Sequence, residues 1–185
     1  MEHEGSGISR MVKHRIRYGI LTASDSGAAG ERRDLSGEAI QEVIRASGGE
    51  VARYTIVADE EEVIARELRD MADNLGIDVI LTTGGTGLSP RDHTPDATYA
   101  VIDREVPGIA EAMRQEGLKH IPHAMLSRQA AGVRGGSLII NMPGSPRAVR
   151  ECLAVVMPAI PHAVEVLRGE ARDCARLRDS QEKGP

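Results

Sequence analysis

The sequence contains no phenylalanine and no tryptophan, and only three of its 185 residues are tyrosine. An aromatic-rich β-sandwich core is therefore excluded, and aliphatic side chains and methionine must supply the packing. No apolar run reaches the roughly 18 residues that a membrane-crossing helix needs. This composition favours strands sandwiched between helices, in a chain whose length suits one domain of roughly 100–200 residues.

Cysteine is scarce as well, since only Cys152 and Cys174 are present and neither belongs to a Cys-x-x-Cys pair. Two such cysteines make neither a disulfide scaffold nor a zinc knuckle, although a single bond between them stays open. The polar segment of residues 1–15 lacks the apolar stretch of a signal peptide. We therefore expect a soluble, cytoplasmic protein without a membrane segment.

The charge balance is slightly acidic, with 23 basic against 28 acidic residues and a formal net charge of −5. An indiscriminate nucleic-acid-binding protein usually carries a basic stripe, so we expect no nucleic-acid partner. A small anionic ligand remains compatible with this charge, because a few arginines and backbone N–H groups suffice to bind one phosphate.

Short apolar segments followed by turn-forming residues predict four strands. They cover residues 15–23, 51–57, 78–82 and 138–141. Helical segments alternate with them, which predicts a three-layer α/β/α fold with a mostly parallel, Rossmann-like sheet. We expect one domain at residues 15–168, a flexible N-terminal tail at 1–14 and a charged C-terminal tail at 169–185.

Capping residues and apolar spacing indicate where the helices lie. Asp34 or Ser36 can cap the first helix, and apolar residues repeat with helical spacing over residues 64–75. Thr94-Pro95 resembles an N-cap followed by proline at the first helical position. Further helices are expected near residues 96–103, 108–116 and 123–131, with a last helical region that ends near residue 167.

Polar, turn-forming clusters follow all four predicted strands. They are Ser24-Asp25, Asp59, the segment 84–94 and the segment 143–146. The carboxyl ends of parallel strands share one edge of a sheet, and such folds bind their ligands at that edge. We therefore expect the four clusters to form one site.

The glycine-rich segment of this set comprises Gly84, Gly85, Thr86 and Gly87. Glycines allow a sharp turn and a close backbone approach, and a following helix offers free N–H groups to an anion. No Gly-Lys-Ser/Thr follows, and Pro90 stands where a dinucleotide fingerprint has its third glycine. On its own the segment fits a phosphate-binding loop or an ordinary strand-to-helix connection.

Two carboxylates, Asp59 and Asp92, each lie just beyond a predicted strand. Together they can hold one Mg²⁺ that bridges phosphate oxygens, and the neighbouring Arg91 can offset phosphate charge. The alternative is that Asp59 caps the helix that starts at Glu60 and that Asp92 only ends a loop.

The remaining reactive side chains give weaker signals. His120 and His123 have a spacing that can reach a metal, but no third ligand is evident, and a surface or structural role is favoured. His93 has no assigned role, and Cys152 follows an apolar helical pattern typical of a packed side chain. No serine lies in a Gly-x-Ser-x-Gly motif, which leaves no serine nucleophile among Ser24, Ser89 and Ser145.

Several long motifs occur in a fixed order along the chain. The main ones are Leu81-Thr82-Thr83-Gly84-Gly85-Thr86-Gly87, Arg91-Asp92-His93-Thr94-Pro95-Asp96-Ala97, Asp103-Arg104-Glu105-Val106-Pro107-Gly108, Leu126-Ser127-Arg128 and Asn141-Met142-Pro143-Gly144-Ser145-Pro146. They resemble the signature of the Mog/MoaB family of molybdenum-cofactor biosynthesis. The likeness covers roughly residues 15–168, nearly the whole chain.

The resemblance implies a molybdopterin adenylyltransferase, which transfers AMP from Mg-ATP to the terminal phosphate of molybdopterin and releases pyrophosphate. The family's two functional aspartates correspond to Asp59 and Asp92, which would be catalytic and would bind Mg²⁺. The nucleophile is the substrate's own phosphate, so no protein nucleophile is required. That agrees with the missing serine motif.

The resemblance also assigns two sides to the site. The pterin and its phosphate would lie against Gly84, Gly85, Thr86, Gly87, Arg91, Thr94, Ser127 and Arg128. The nucleotide would lie against Ser24, Asp25, Pro143, Gly144 and Ser145. Position 93 is histidine where family members commonly carry an aliphatic residue, so His93 receives no catalytic role.

Family members assemble as trimers or hexamers, which implies a homo-oligomer, with other molybdenum-cofactor enzymes as further partners. Two alternatives stay open. One is a MoaB-type protein that binds or carries molybdopterin without turnover, and the other is a relative of the competence-damage proteins that acts on a different nucleotide. Some MoaB-type paralogues lose one or both acidic residues, so the presence of Asp59 and Asp92 favours the enzyme.

Overall fold

Six strands form a single sheet in the part of the chain that the structure, a computed structural model, describes: residues 15–171. The strands are β1 (Arg17–Ala23), β2 (Glu50–Val57), β3 (Val79–Thr83), β4 (Arg104–Glu105), β5 (Ala131–Arg134) and β6 (Ser137–Met142), in the order β2-β1-β3-β6-β5-β4. The predicted tail at 1–14 and residues 172–185 of the other predicted tail lie outside the described residues.

The sheet is mostly parallel, as predicted. Strands β2, β1, β3 and β6 pair in parallel, whereas β5 pairs antiparallel with β6 and β4 antiparallel with β5. The four predicted strands are found within two residues of their expected bounds. Strands β4 and β5 were not predicted, because β4 has two residues and β5 is a short segment interrupted by Gly132.

Seven α-helices connect these strands within the described residues. They are α1 (Asp25–Ala28), α2 (Leu35–Ala46), α3 (Glu61–Arg69), α4 (Thr94–Tyr99), α5 (Pro107–Leu118), α6 (Pro146–Val156) and α7 (Ile160–Leu167). A π-helical turn at Asp70–Asn74 continues α3, and 3-10 turns lie at Pro122–Leu126 and Met157–Ala159. Asp34 caps α2 by accepting a hydrogen bond from the backbone N–H of Gly37, as the sequence suggests.

Two helix predictions are corrected. The helix expected at residues 123–131 is wrong, because only Pro122–Leu126 is helical, as a 3-10 turn, and Ala131 already belongs to β5. The segment between this turn and β5 makes tertiary hydrogen bonds, such as the one from the backbone N–H of Arg128 to Thr86 O at 2.9 Å. At α4 the N-cap is His93, not Thr94, and it makes no side-chain capping bond.

The core lies on both faces of the sheet. Neighbouring residues in a strand point to opposite faces, so Ile20, Leu81 and Ile140 pack with α2, α5 and α6, while Leu21 and Ile80 pack with α3 and α4. This confirms the three-layer α/β/α fold. Within residues 15–171, no helix combines the length and hydrophobicity required to cross a membrane.

Candidate active site

The glycine-rich loop leaves β3 at the carboxyl edge of the sheet and touches the end of β1. Gly84 and Gly85 adopt φ angles of +89° and +60°, in the left-handed region that favours glycine. A Cβ atom at Gly84 would lie 2.3 Å from the carbonyl oxygen of Ala23, too close for any side chain. Glycine is therefore needed here both for the backbone angle and for the contact between the two strand ends.

The side chains of Asp59 and Thr94 both approach the loop at Gly85. A Cβ atom there would lie 2.6 Å from Thr94 Oγ1 and 2.9 Å from Asp59 Oδ1. Both oxygens are buried and have no hydrogen-bond partner among the described residues. An unpaired buried polar atom costs about 1–3 kcal/mol. Such a pair beside a glycine backbone therefore indicates a small space prepared for a polar ligand atom or an ion.

Burial raises the pKa of Asp59 above its ordinary value, and the negative charges of Asp25 and Asp92 raise it further. The backbone N–H of Asp59 donates to Asp25 Oδ1 at 3.0 Å. A carboxylate whose charge is disfavoured gains most from a nearby cation. The electrostatics at Asp59 thus suit a bound metal ion.

Asp92 closes the second half of the loop. Its Oδ2 accepts a hydrogen bond from the backbone N–H of Ser89 at 2.7 Å, and its own N–H donates to Ser89 O at 2.9 Å. A Cβ atom at Gly87 would lie 2.8 Å from Asp92 Oδ2, so this carboxylate lies against the glycine-rich backbone as well. Asp92 therefore stabilises the conformation of the loop and places a negative charge next to the loop backbone.

Arg91 joins the loop to the end of β1. Its Nη2 donates to both carboxylate oxygens of Asp25 at 2.8 Å, which lowers the pKa of Asp25. Both side chains are more than half exposed, so the pair adds little to stability and can open when an anionic ligand arrives. The predicted substrate residue Arg91 and nucleotide residue Asp25 therefore lie side by side.

Arg128 is occupied by contacts that hold the loop in place. Its guanidinium makes two hydrogen bonds to the Asp96 carboxylate, at 3.0 and 2.9 Å, and Nε donates to Gly87 O at 3.0 Å. It also donates to the carbonyl oxygen of Asp92. The hydroxyl of the neighbouring Ser127 is buried and has no partner within the described residues.

The turn at residues 143–146 packs beside the glycine-rich loop, as predicted. Thr83 Oγ1 donates to Pro143 O at 2.7 Å, and Ser36 Oγ donates to Gly144 O at 2.8 Å. Ser145 caps α6 by accepting a hydrogen bond from the N–H of Ala148. Ser24 likewise caps α1, through the N–H of Gly27. The two serines predicted to bind nucleotide thus both cap helices that begin at this edge of the sheet, the four-residue α1 and the 11-residue α6.

A partly buried hydrogen-bond cluster at the site was not predicted as part of it. Asp34 Oδ2 accepts from Thr22 Oγ1 at 2.5 Å and from the Tyr54 hydroxyl at 2.6 Å. Burial and the bond to Asp34 raise the pKa of Tyr54, which keeps this phenol protonated. Only the capping role of Asp34 has a local sequence signal, because Thr22 and Tyr54 come from two different strands.

Two cavities open at this edge of the sheet and share Gly144 in their linings. One, of about 200 Å³, is lined by residues that include Ser24, Arg32, Ser36 and Gly84. The other, of about 570 Å³, extends between α5 and α6 and includes Thr86, Gly87, Ser127, Gln129 and Cys152. A larger cavity of about 770 Å³ lies elsewhere, around Arg15, Gly48 and Pro158, and none of the predicted site residues lines it.

The donor set of the site fits Mg²⁺ bound together with a phosphate ligand. The described residues hold no group of three or more histidine, cysteine, aspartate or glutamate side chains that could bind a metal. Mg²⁺ commonly keeps its waters and binds through one or two carboxylates plus substrate phosphates. Asp59, with its unpaired Oδ1, and Asp92 meet that requirement, whereas a metal site made by protein side chains alone is not found there.

The alternatives raised by the sequence are resolved in part. Asp59 does not cap α3, because the N-cap is Glu60 and no side-chain capping bond is made. His120 Nε2 lies 3.5 Å from Glu116 Oε1 and 3.7 Å from Glu151 Oε1. These contacts with neighbouring carboxylates agree with a surface or structural role for His120. Cys152 is buried, as its helical pattern predicts, and Cys174 lies outside the described residues.

Residues 19–162 match a family model described as a probable molybdopterin binding domain. The molybdopterin adenylyltransferase of Helicobacter pylori is 48% identical over 156 residues, covering 83% of this chain and 89% of that protein. The molybdopterin adenylyltransferase of Escherichia coli K12 is 35% identical over 168 residues, covering 83% and 86%. The crystal structure of the molybdopterin biosynthesis enzyme MoaB from Thermus thermophilus superposes with a TM-score of 0.79 at 54% identity, covering 83% of this chain and 97% of that one.

Proposed function

This chain belongs to the family of probable molybdopterin binding domains, and we propose that it is a molybdopterin adenylyltransferase of molybdenum-cofactor biosynthesis. The observation that carries the proposal is the pair of unpaired buried oxygens, Asp59 Oδ1 and Thr94 Oγ1, beside the backbone of Gly85. They lie beside the glycine-rich loop, whose Gly84 lines one cavity and whose Thr86 and Gly87 line the other, which suits a reaction between two phosphate-bearing substrates.

The reaction joins two polyanions. A terminal phosphate oxygen of molybdopterin attacks the α-phosphorus of ATP, a P–O bond forms there, and the bond to the β-phosphate breaks to release pyrophosphate. The attacking oxygen is already ionised, so the protein has no proton to remove. Its task is to hold the two phosphates in line and offset their repulsion.

The residues around Gly85 have the chemistry for that task. Backbone N–H groups of the glycine-rich loop donate to phosphate oxygens, and Arg91 adds a positive charge once it leaves Asp25. Asp59 and Asp92 would hold Mg²⁺, which supplies positive charge against the phosphate oxygens when it is bound. Thr94 offers its free hydroxyl at the same point.

The two cavities suit one substrate each. The 570 Å³ cavity, with Thr86, Gly87 and Ser127, has the room for molybdopterin. The 200 Å³ cavity, with Ser24 and Gly84, takes part of the nucleotide and leaves the rest exposed to solvent. Since Gly144 lines both cavities, the phosphates of the two ligands would meet beside the turn at 143–146.

The test is an assay of the purified protein with molybdopterin, ATP and Mg²⁺ in which adenylylated product and pyrophosphate are both measured. Asp92→Asn is expected to keep molybdopterin binding and to lower turnover at least 100-fold, because the carboxylate charge is lost from the loop. Asp103→Asn is the matched control, since Asp103 accepts from Gly135 N at the opposite edge of the sheet. Equal turnover of Asp92→Asn and wild type would contradict the role of Asp92.

The alternative function is a MoaB-type protein that binds molybdopterin without turnover. It is raised by the 54% identity to MoaB from Thermus thermophilus, which is nevertheless described as a molybdopterin biosynthesis enzyme. The same assay separates the two. Molybdopterin binding without adenylylated product, with Asp59 and Asp92 intact, would favour the binding protein and reject the enzyme.

The rest of the proposal concerns the protein as a whole. The molybdopterin-binding domain would span residues 15–168, and the protein would act in the cytoplasm as a homotrimer or hexamer, alongside other molybdenum-cofactor enzymes. Exposed apolar side chains in and around the 570 Å³ cavity support self-association. They are Leu88, Leu118, Ile121, Met125 and Leu126.

A further inference from the structure

The floor of the 570 Å³ cavity contains a buried side-chain amide that has no role in the site described so far. Gln129 is 5% exposed and lines the cavity together with Met113 and Cys152. Its hydrogen-bonding capacity is large, with two N–H donors and an acceptor oxygen. Glutamine is rarely buried unless these groups have partners.

The partners that Gln129 has within the described residues are weak. Its Nε2 lies 4.0 Å from Met113 Sδ and 3.9 Å from Cys152 Sγ, and both are sulfur atoms, which accept poorly. No oxygen or nitrogen atom of the described residues hydrogen-bonds this amide. A buried amide that contacts only sulfur and borders a cavity is placed to bind a ligand rather than to stabilise the fold.

The position of Gln129 is fixed by its neighbours. Arg114 Nη1 donates to the backbone carbonyls of Gln129, at 3.0 Å, and Ser127, at 3.4 Å. On the other side, Asn141 N–H donates to Ala130 O at 2.9 Å. The backbone is therefore held on both sides of the side chain, and burial restricts the side chain itself, which lowers the entropic cost of binding a ligand.

The surroundings of the amide suit a flat, uncharged ring. Met113 supplies a polarizable sulfur, which contacts aromatic rings favourably, and Ala124 and Ala148 add small apolar surfaces. Burial raises the pKa of Cys152 to about 11, so its thiol carries no charge at neutral pH. At the other end of the cavity, Thr86 and Gly87 belong to the loop that faces the phosphates.

We propose that Gln129 is a specificity-determining residue that hydrogen-bonds the amide edge of the pterin ring. Its Oε1 accepts from the ring N3–H, and its Nε2 donates to the ring oxygen O4. This rests on the proposed function in taking molybdopterin as the occupant of the cavity. Adenine can also make two hydrogen bonds to a glutamine amide, through its N6–H and N7, so the affinity for ATP is measured beside that for molybdopterin.

The test compares Gln129→Met with wild type, because methionine keeps the length and removes the hydrogen-bonding groups. We expect the variant to bind molybdopterin at least 10-fold more weakly, measured by the fluorescence of the pterin. Its KM for molybdopterin should rise at least 10-fold, with kcat and the affinity for ATP changed less than threefold. Gln115→Met is the matched control, because Gln115 is exposed on α5 and does not line the cavity.

A change on the ligand side keeps the proposal testable even where Gln129→Met folds poorly. In 3-methylpterin a methyl group replaces the hydrogen on N3, so this compound lacks the N3–H donor whose hydrogen bond Gln129 Oε1 would accept. Wild type should bind 3-methylpterin at least 10-fold more weakly than pterin, and a folded Gln129→Met protein should bind both equally, as a double-mutant cycle requires. Equal affinity of wild type for the two pterins would overturn the proposal.

The outcomes separate this proposal from the proposed function. Adenylylation with an unchanged KM in Gln129→Met overturns the role of Gln129 and leaves the enzyme intact. Pterin binding that depends on Gln129, without adenylylated product, upholds the role and rejects the enzyme. Guanine carries the same amide edge, so GMP is titrated as well, and a preference for GMP over pterin would overturn the assignment to pterin.

Discussion

At the scale of single residues, Asp59 combines a stability cost with a functional gain. Its Oδ1 is buried without a partner among the described residues, and burial raises its pKa. A group in this condition destabilises the folded protein as long as no cation is bound. Perturbed carboxylates of this kind cluster at functional sites, since the protein tolerates the cost where the charge is needed.

We therefore predict that Asp59→Asn abolishes turnover but stabilises the ligand-free protein at neutral pH. The increase in the free energy of unfolding should be modest, about 0.5–1 kcal/mol, because Asp59 is only partly buried. Since the folded-state pKa is raised, the cost in wild type is present above that pKa and vanishes as pH falls towards the ordinary value of 3.8. Urea unfolding of both proteins between neutral and acidic pH measures this difference.

The prediction has two ways to fail. A variant that is less stable than wild type at neutral pH would mean that the carboxylate contributes to the fold. An advantage of Asp59→Asn over wild type in the free energy of unfolding that grows as the pH falls would also contradict the prediction. Saturating Mg²⁺ together with ATP provides the control, because it should stabilise wild type and leave Asp59→Asn nearly unchanged.

At the scale of elements, a buried amide on β6 ties three parts of the chain together. Asn141 Nδ2 donates to Thr82 Oγ1 on β3 at 3.1 Å and to Thr98 Oγ1 on α4 at 2.8 Å. Its Oδ1 accepts from the N–H of Ala130 at 3.3 Å. The bonds fix β6, which leads into the turn at 143–146, against α4, which begins at Thr94.

We predict that Asn141→Leu lowers the free energy of unfolding by about 2–4 kcal/mol, because it leaves buried partners without bonds. The control is Asn74→Leu, which should change stability by about 0.5 kcal/mol or less, because Asn74 is exposed and its side chain hydrogen-bonds only Asp70. Chemical denaturation measures both. A loss below about 1 kcal/mol in Asn141→Leu would show that the bonds are dispensable.

The elements also show where sequence patterns fail. Strands β1, β2, β3 and β6 were predictable, because each is an apolar run ended by turn-forming residues. The helix expected at 123–131 was not formed, since the 3-10 turn ends at Leu126 and residues 131–134 pair with β6 as strand β5. The apolar content of this segment gave no indication of which neighbour it would pair with.

At the scale of the whole molecule, the exposed apolar side chains in and around the 570 Å³ cavity bear on assembly. Met125 is 61% exposed, Leu88 65% and Ile121 53%. A cluster of such side chains is more typical of an interface than of a surface that stays in water. This supports the homo-oligomer that the family resemblance implies.

We predict that light scattering after size-exclusion chromatography gives a mass three or six times the 19.9 kDa of one chain. Combined Leu118→Glu and Met125→Glu changes should shift the mass towards that of one chain, because they bring charge into the apolar contact. Replacing the exposed Glu61 on α3 with glutamine serves as the control. A wild-type mass of one chain would contradict the prediction.

The sequence by itself determined the four strands β1, β2, β3 and β6, their parallel arrangement, the edge at which the glycine-rich loop and Asp59 meet, and the family. These features can be predicted because each depends on a pattern of residues that are close together in the sequence. Only the tertiary structure decided which oxygens stay unpaired among the described residues, how Asp34 links Thr22 to Tyr54, and that Gln129 is buried against two sulfur atoms. The physical reason is that such partners are brought together by packing across long stretches of chain, as are Thr83 and Pro143, 60 residues apart.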